Sequence, residues 1–527
     1  MTIAMQAWLT KRFASDLCLS NQDAMNANLY ALIESRFPRE RSTLFLETET
    51  GERYSYADLD KTSAQIASFL TGLGVAPGER VAVLVEKSPQ ALFLYLACLR
   101  AGLVYLPLNS AYQGGEVGYF FDNAEPRIVV AQPKSLPWLA PIAGRLGIPH
   151  LLTLDEKGQG TLIESAKLAK ANFKTAENAP DDLAALLYTS GTTGRSKGAM
   201  VTHRNLSSNA LTLHAFWGFG PDDVLLHTLP LFHVHGLFVA SHCVLLNGTS
   251  MIFHAKFDAK AVMAELPRTT IFMGVPTYYV RLLVEPGFDR KCCSNMRLFI
   301  SGSAPLLPET FNEFKQRTGH TILERYGMTE TGMLASNPLH GDRIGGSVGL
   351  PLPGVSLRVV GERGEKLPLE GIGHIQVKGD NVLQSYWRMP ETNQEEFTVD
   401  GYFKTGDMGK VDTRGYLSIV GRSKDLVISG GFNVYPKEIE LLIDEMPGVA
   451  ESAVIGLPHP DFGEAVTAVI VPRKGHTGLT EQDVIAALKP KLANFKVPKR
   501  VYFIEDLPRN TMGKVQKSEL RKRYSAR

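Results

Sequence analysis

The chain has 527 residues, with 56 lysines and arginines against 54 aspartates and glutamates. That length exceeds one ordinary domain, and the balanced, dispersed charge excludes a protein organised around nucleic acid or an anionic membrane surface. The five cysteines are an odd number without metal-ligand spacing, which points to reduced structural thiols in a cytoplasmic protein. No uncharged apolar run is long enough to cross a membrane, since Arg100 interrupts the best candidate, Ala91 to Leu108. Residues 1–24 carry Lys11, Arg12, Asp16 and Asp23, make a poor signal peptide, and are expected to form a disordered extension ahead of Met25.

From residue 25 to 180 helical and strand patterns alternate. Tyr56 to Leu70 has apolar residues at helical spacing and stop signals in Gly72 and Gly74; Val81 to Val85 reads as a buried strand, Pro89 to Ala101 as a helix, and Leu103 to Pro107 as the next strand. This grammar implies parallel strands with helical crossovers. Ile128 to Ala131, His150 to Leu154 and Leu183 to Tyr188 continue it, followed by Asp223 to Pro230, Ser250 to Phe253 and Arg297 to Ser301. Each of the later strands runs into a segment rich in histidine, glycine, serine or proline, and in open α/β sheets such carboxyl ends converge on one crevice. Beyond Gly345 short strands (Val355 to Val360, Gly373 to Lys378, Tyr416 to Val420) suggest a small β subdomain. A compact α+β segment follows, with helix Pro436 to Asp444, strands Val449 to Leu457 and Glu464 to Val471, and helix Thr480 to Leu492. The expected fold is α/β: a large N-terminal domain of parallel-rich sheets with helices, a small β subdomain, and a small mobile α+β C-terminal domain.

Directly after the Leu183 to Tyr188 strand comes Thr189-Ser190-Gly191-Thr192-Thr193-Gly194-Arg195-Ser196-Lys197-Gly198, dense in hydroxyls, glycines and cations. Glycines let backbone N–H groups approach an anion, hydroxyls add donors, and the cations neutralise charge, so the loop reads as a phosphate cradle. It lacks the Gly-Lys-Ser/Thr of a Walker A loop, which disfavours a P-loop kinase. A flexible Ser/Gly/Thr linker is the bland alternative.

The run resembles the signature of the adenylate-forming superfamily of acyl-CoA synthetases, aryl-acid ligases, luciferases and peptide-synthetase adenylation domains, and further signatures follow in that family's order. Ser303-Ala304-Pro305 resembles its adenine-side turn. Tyr326-Gly327-Met328-Thr329-Glu330 resembles the segment whose aromatic stacks on adenine, whose threonine reaches the α-phosphate and whose glutamate holds Mg²⁺. By the same resemblance Asp407 accepts the ribose hydroxyls, Arg422 closes over the nucleotide, and Lys424 is the hinge between residues 25–422 and 423–527. Lys514, in Pro508-Arg509-Asn510-Thr511-Met512-Gly513-Lys514, matches the lysine that bridges carboxylate and α-phosphate, and Gly430-Gly431 the turn presented to pantetheine. The resemblance therefore implies Thr193, Glu330 and Lys514 as catalytic, a two-step reaction through an acyl-adenylate, and ATP, Mg²⁺ and coenzyme A as cofactor and co-substrates. With no carrier domain after Lys514, free CoA is the expected acceptor, in a monomer or weak homo-oligomer.

The acid is read from two segments. Leu229 to Gly236 carries His233 and His235, and Gly274 to Arg281 opens a helix; histidines and an arginine suit a short diacid better than a fatty tail. Over its length from about Met25 the chain most resembles malonyl-CoA synthetases. This implies that Arg281 clamps the distal carboxylate with Ser303 and His235, and that Val234 and Met333 limit substituents at the middle carbon, so that malonate, with methylmalonate beside it, is the acid. Arg297 is the rival clamp. The alternatives are a ligase for another short or aromatic acid, and a non-catalytic nucleotide-binding protein on the same fold.

Overall fold

Short runs of Val, Leu, Ile and Ala, buried on both faces, pair into two large sheets that the intervening helices separate and cover. The computed structural model describes residues 26–189, 196–429, 432–459, 463–475, 478–510 and 513–525. The expected extension 1–24, the cradle residues Ser190, Gly191, Thr192, Thr193, Gly194 and Arg195, and the turn Gly430-Gly431 lie outside the described residues.

The first sheet has the strand order His150–Thr153, Ile128–Ala131, Arg80–Leu84, Val104–Pro107, Leu183–Thr189, Lys197–Thr202. All neighbours are parallel except the last two strands, which pair antiparallel with Thr189 opposite Lys197. The cradle segment therefore joins a hairpin, where the alternating grammar anticipated a strand followed by a crossover. The second sheet has nine strands, with six parallel ones at its centre: Leu44–Thr48, Ser250–Phe253, Val224–His227, Ile271–Gly274, Leu298–Ser301 and Leu323–Met328.

Helix Pro89–Arg100 shows why these layers hold. Ser88 accepts the Ala91 N–H as N-cap and Pro89 supplies a preset φ at the first position. Every residue from Ala91 to Arg100 is buried, as a helix apolar on all sides requires. Each of its Leu and Phe side chains contributes about 1.5–3 kcal/mol by leaving water. Arg100 is tolerated because it pairs with Asp60 at 2.7 Å.

An antiparallel four-stranded sheet (Ser356–Val360, Gly373–Lys378, Phe403–Val411, Leu417–Arg422) forms the β subdomain. The C-terminal unit builds a sheet on Val449–His459 and Gly463–Pro472, flanked by Pro436–Asp444, Glu481–Leu488 and Lys517–Ser525. The helix expected to reach Leu492 ends at Leu488, where Pro490 has no N–H to continue the ladder of helical hydrogen bonds. Among the described residues no helix is long and apolar enough to cross a membrane.

Candidate active site

Four adjacent parallel strands of the nine-stranded sheet end at His227, Gly274, Ser301 and Met328, and the segments after their carboxyl ends carry the expected residues His233, His235, Arg281, Ser303, Ala304, Pro305, Thr329 and Glu330. His233 and His235 follow the first, Tyr278 and Arg281 the second, Gly302 to Pro305 the third, Thr329 and Glu330 the fourth. The β subdomain adds Asp407 and Arg422, and the C-terminal unit adds Lys514.

On the nucleotide side, Asp407 is 3% exposed and both its oxygens are engaged. The Tyr326 hydroxyl donates to Oδ2 at 2.6 Å and Arg422 Nε to Oδ1 at 2.9 Å, which fixes ring and guanidinium relative to one carboxylate. Gly327 keeps the following turn tight, since a Cβ there would stand 2.2 Å from the Gly332 carbonyl oxygen. Glu330 is 7% exposed, accepts from the Thr189 hydroxyl at 2.9 Å, and has its pKa raised by burial. The Tyr386 hydroxyl approaches the same oxygen at 3.4 Å. Lys197 has a partner of its own: Nζ bonds Glu396 at 2.6 Å beneath the Tyr386 ring, so in this structure its charge anchors the end of the cradle hairpin. Ser196 accepts at its carbonyl from the Tyr119 hydroxyl at 2.9 Å.

On the acid side, Ser303 is held at φ 72°, a strained value for a residue with a side chain, and strain of this kind concentrates at functional sites. Its Oγ lies 3.3 Å from His235 Nδ1. The His235 main-chain N–H in turn donates to His233 Nδ1 at 3.3 Å. Burial, then the charges of Arg325 and Lys514, push His233 down to about 4, and burial with Arg325 holds His235 well below the usual imidazole range. Both rings are therefore neutral at physiological pH.

The guanidinium depressing these histidines was not singled out by sequence reasoning. Arg325 is 3% exposed, and its Nε and Nη2 are buried with no hydrogen-bond partner among the described residues. It lies so close beneath Gly302 that a Cβ there would sit 2.3 Å from its Cζ. Burial lowers its pKa to about 9. A buried, unpaired guanidinium beside neutral donors has the chemistry to accept an anion. The signal was present: within the buried strand Leu323-Glu324-Arg325, a charged side chain on the face opposite Tyr326 needs either a partner or a ligand.

Arg281, the expected clamp, stands on the exposed side of helix Pro276–Val284 with Val280 and Val284, where solvent already hydrates it. Arg297, its rival, is committed to Asp223 through Nε at 2.7 Å and Nη2 at 2.5 Å and also reaches the Gly218 carbonyl. Met333 is buried and fixed by two main-chain bonds to the Asn209 amide, each 3.0 Å. Val234 walls a cavity of about 20 Å³ shared with Asn209, Thr329 and Glu330, room for about one water. Ala304 and Pro305 complete the turn, which Glu324 steadies by accepting the Leu306 N–H at 3.1 Å.

The C-terminal unit is docked so that Lys514 faces this crevice. Arg473 pairs with Glu309 at 3.0 Å, and Gly513, at φ 73°, packs against Thr277. Lys514 is open to solvent, yet protein walls enclose it, and that enclosure, with the neighbouring charges of Arg422 and Lys424, lowers its amine to about 8. Burial and Arg422 likewise lower Lys424.

A carboxylate that fixes both an aromatic ring and an arginine, a buried glutamate beside a phosphate-type hairpin, and a lysine brought in by a second unit together describe a nucleotide site. Residues 33–387 match the AMP-binding enzyme family and residues 438–514 its C-terminal domain. The chain belongs to the AMP-binding enzyme family. It is an AMP-forming acid–thiol ligase that uses ATP and coenzyme A. The chain is similar to a mitochondrial malonate–CoA ligase of Bos taurus, at 35% identity over 95% of this chain and 92% of that one. It is equally similar to an indoleacetate–CoA ligase of Aromatoleum aromaticum, at 35% identity over 89% and 92%. ATP-bound MatB from Rhodopseudomonas palustris superposes with TM-score 0.93 at 55% identity, covering 95% of this chain and 99% of that one. Apo MatB gives 0.83 at the same identity and coverage, so the chain superposes better on the ATP-bound MatB structure than on the apo one.

Proposed function

We propose that this AMP-binding enzyme joins malonate to coenzyme A through malonyl-AMP, with AMP and pyrophosphate as the other products. The single observation that carries the acid is the unpaired Arg325 guanidinium between Gly302 and the His233–His235 loop. A monoacid would leave that charge desolvated and unpaired, at about 3–5 kcal/mol, whereas a distal carboxylate neutralises it with charge-assisted hydrogen bonds. Ser303 and His235 stand beside it as further donors, while Met333 and Val234 limit the middle carbon. The resemblance to malonate–CoA ligases supports the same acid.

The free carboxylate of the acid attacks the α-phosphorus of ATP; an oxygen–phosphorus bond forms and the bond to pyrophosphate breaks. Thr189, Thr193, Lys514 and the cradle amides hold the phosphate charge, Tyr326 packs on adenine, and Asp407 holds the ribose. A single buried carboxylate with a neighbouring hydroxyl fits Mg²⁺, which takes few protein ligands and otherwise phosphate oxygens and water; Glu330 would hold it. When bound, the ion supplies neutralising charge to the phosphates. Rotation of residues 423–527 about Lys424 then withdraws Lys514 and presents Gly430 and Gly431 to the pantetheine arm. The thiol sulfur attacks the acyl carbon and AMP leaves. The described cysteines are free thiols, in keeping with a reducing compartment such as the cytoplasm.

Pyrophosphate release measured across malonate, methylmalonate, succinate, acetate and indoleacetate, with and without CoA, tests the assignment. Malonate leads by at least about tenfold in kcat/KM; a lead by acetate or indoleacetate overturns it. The pH profile is a second check. Lys514 must carry its proton to hold phosphate charge, and that form is fully present below about 8 and lost above it. The kcat/KM for ATP in the first half-reaction therefore falls as pH rises through about 8 in the free enzyme. A profile flat to well above that value counts against the role.

A further inference from the structure

The buried amine of Lys87 has no place in the chemistry above. Lys87 lies just beyond strand Arg80–Leu84 of the six-stranded sheet, is 7% exposed, and reaches across to the end of a strand in the other sheet. There its Nζ donates to the His227 carbonyl at 2.9 Å and bonds His227 Nδ1 at 2.8 Å, with the Phe253 ring centroid 4.1 Å away. An amine in this position is costly, since an apolar side chain of the same length would fill the space without desolvation.

Burial holds the Lys87 amine well below the usual lysine range. The Gly236 carbonyl can only accept, so the His227 ring proton sits on Nε2 and the bare Nδ1 accepts from the Lys87 amine. Nε2 then donates to the Gly236 carbonyl at 3.0 Å, an oxygen that also accepts from Ser241 Oγ at 2.9 Å. Burial and the charge of Lys87 both disfavour a second proton on the ring.

Gly236 lies in the π-helical segment His235–Ala240, an uncommon geometry found mostly at functional sites. The turn approaches its neighbours closely at Gly236, where a Cβ would stand 2.1 Å from the Pro230 carbonyl oxygen. The residue before it is His235, whose Nδ1 meets Ser303 and whose Nε2 is buried without a partner among the described residues. The geometry points to Lys87 as a positioning residue for the acid pocket: through His227 it pins the Gly236 carbonyl and so aims His235 at the distal carboxylate of the diacid. Lys87 touches neither substrate nor reacting atoms. This rests on the malonate reading.

Kinetics of Lys87→Met, His227→Phe and His227→Gln, with Tm recorded for each, test it. Breaking the chain of hydrogen bonds from Lys87 through His227 to Gly236 raises the KM for malonate about tenfold in Lys87→Met and His227→Phe, with the KM for ATP unchanged. His227→Gln keeps one acceptor and one donor and recovers most of the malonate KM. Should Lys87→Met not fold, the His227 pair and Ser241→Ala, which removes the second donor to Gly236, give the same readout. Malonate and ATP parameters worsening together, or Gln behaving like Phe, overturns the proposal. Absence of malonate turnover in the unsubstituted enzyme overturns the acid assignment instead, and is seen before any variant is made.

Discussion

Arg325→Met lowers kcat/KM for malonate by between about 10²- and 10⁴-fold and leaves the KM for ATP nearly unchanged. The loss is large because the guanidinium is already desolvated and unpaired, so the diacid meets a receptor that requires little reorganisation. Two accompanying results separate this from general damage. Arg281→Ala, on the exposed face of its helix, changes malonate kcat/KM by less than about tenfold, the range of an exposed charge. The ligand-free Arg325→Met protein also melts at higher temperature. The sign follows from linkage: a base whose folded-state pKa is lowered to about 9 destabilises the fold fully below that pH, and the penalty is relieved as pH rises towards the ordinary arginine value. Removing the charge removes the penalty, so stability rises while activity falls. Thermal melts at neutral pH and steady-state kinetics check both; a variant that loses malonate turnover and also melts lower marks Arg325 as structural.

Lys514→Ala divides the two half-reactions. Pyrophosphate release in the first step falls by about 10²- to 10³-fold, the usual effect of removing one preorganised charge from a developing transition state. Conversion of supplied malonyl-AMP and CoA to malonyl-CoA is nearly unchanged, because in the proposed second step this lysine is withdrawn from the reacting atoms. The docked position of the C-terminal unit supports the assignment: Arg473–Glu309 and the Gly513–Thr277 contact set Lys514 among Arg422, Asp407 and Lys424. Single-turnover assays started from ATP or from the adenylate distinguish the steps. Equal loss in both means that Lys514 is needed for domain structure and not for phosphate charge.

Much of this protein was legible in its residues because the determining patterns are local. Buried apolar runs divided by helical spacing predicted the strands Arg80–Leu84, Ile128–Ala131 and Ser250–Phe253 to within a residue or so, and the helices Tyr56–Gly72 and Pro436–Asp444 likewise. Contiguous motifs around Tyr326, Asp407, Arg422 and Lys514 carried the resemblance to the AMP-binding family, since a loop that binds phosphate or ribose must place its glycines, hydroxyls and charges within a few positions of one another. The acid side was different. Arg281 and Arg325 are both arginines beside aromatic residues, and no local pattern separates one on an exposed helix face from one sealed beneath Gly302. Only packing of the Leu323–Met328 strand under the Ser301–Ser303 turn decided which charge was without a partner. Tertiary structure likewise gave Lys197 to Glu396, Arg297 to Asp223 and Lys87 to His227, pairs separated by many residues whose distance depends on how sheets and units stack. The sequence by itself thus determined the elements, the nucleotide chemistry and the class of reaction. Which buried charges are paired and which have no partner among the described residues was decided by the tertiary structure alone, because desolvation and ion pairing depend on neighbours in space.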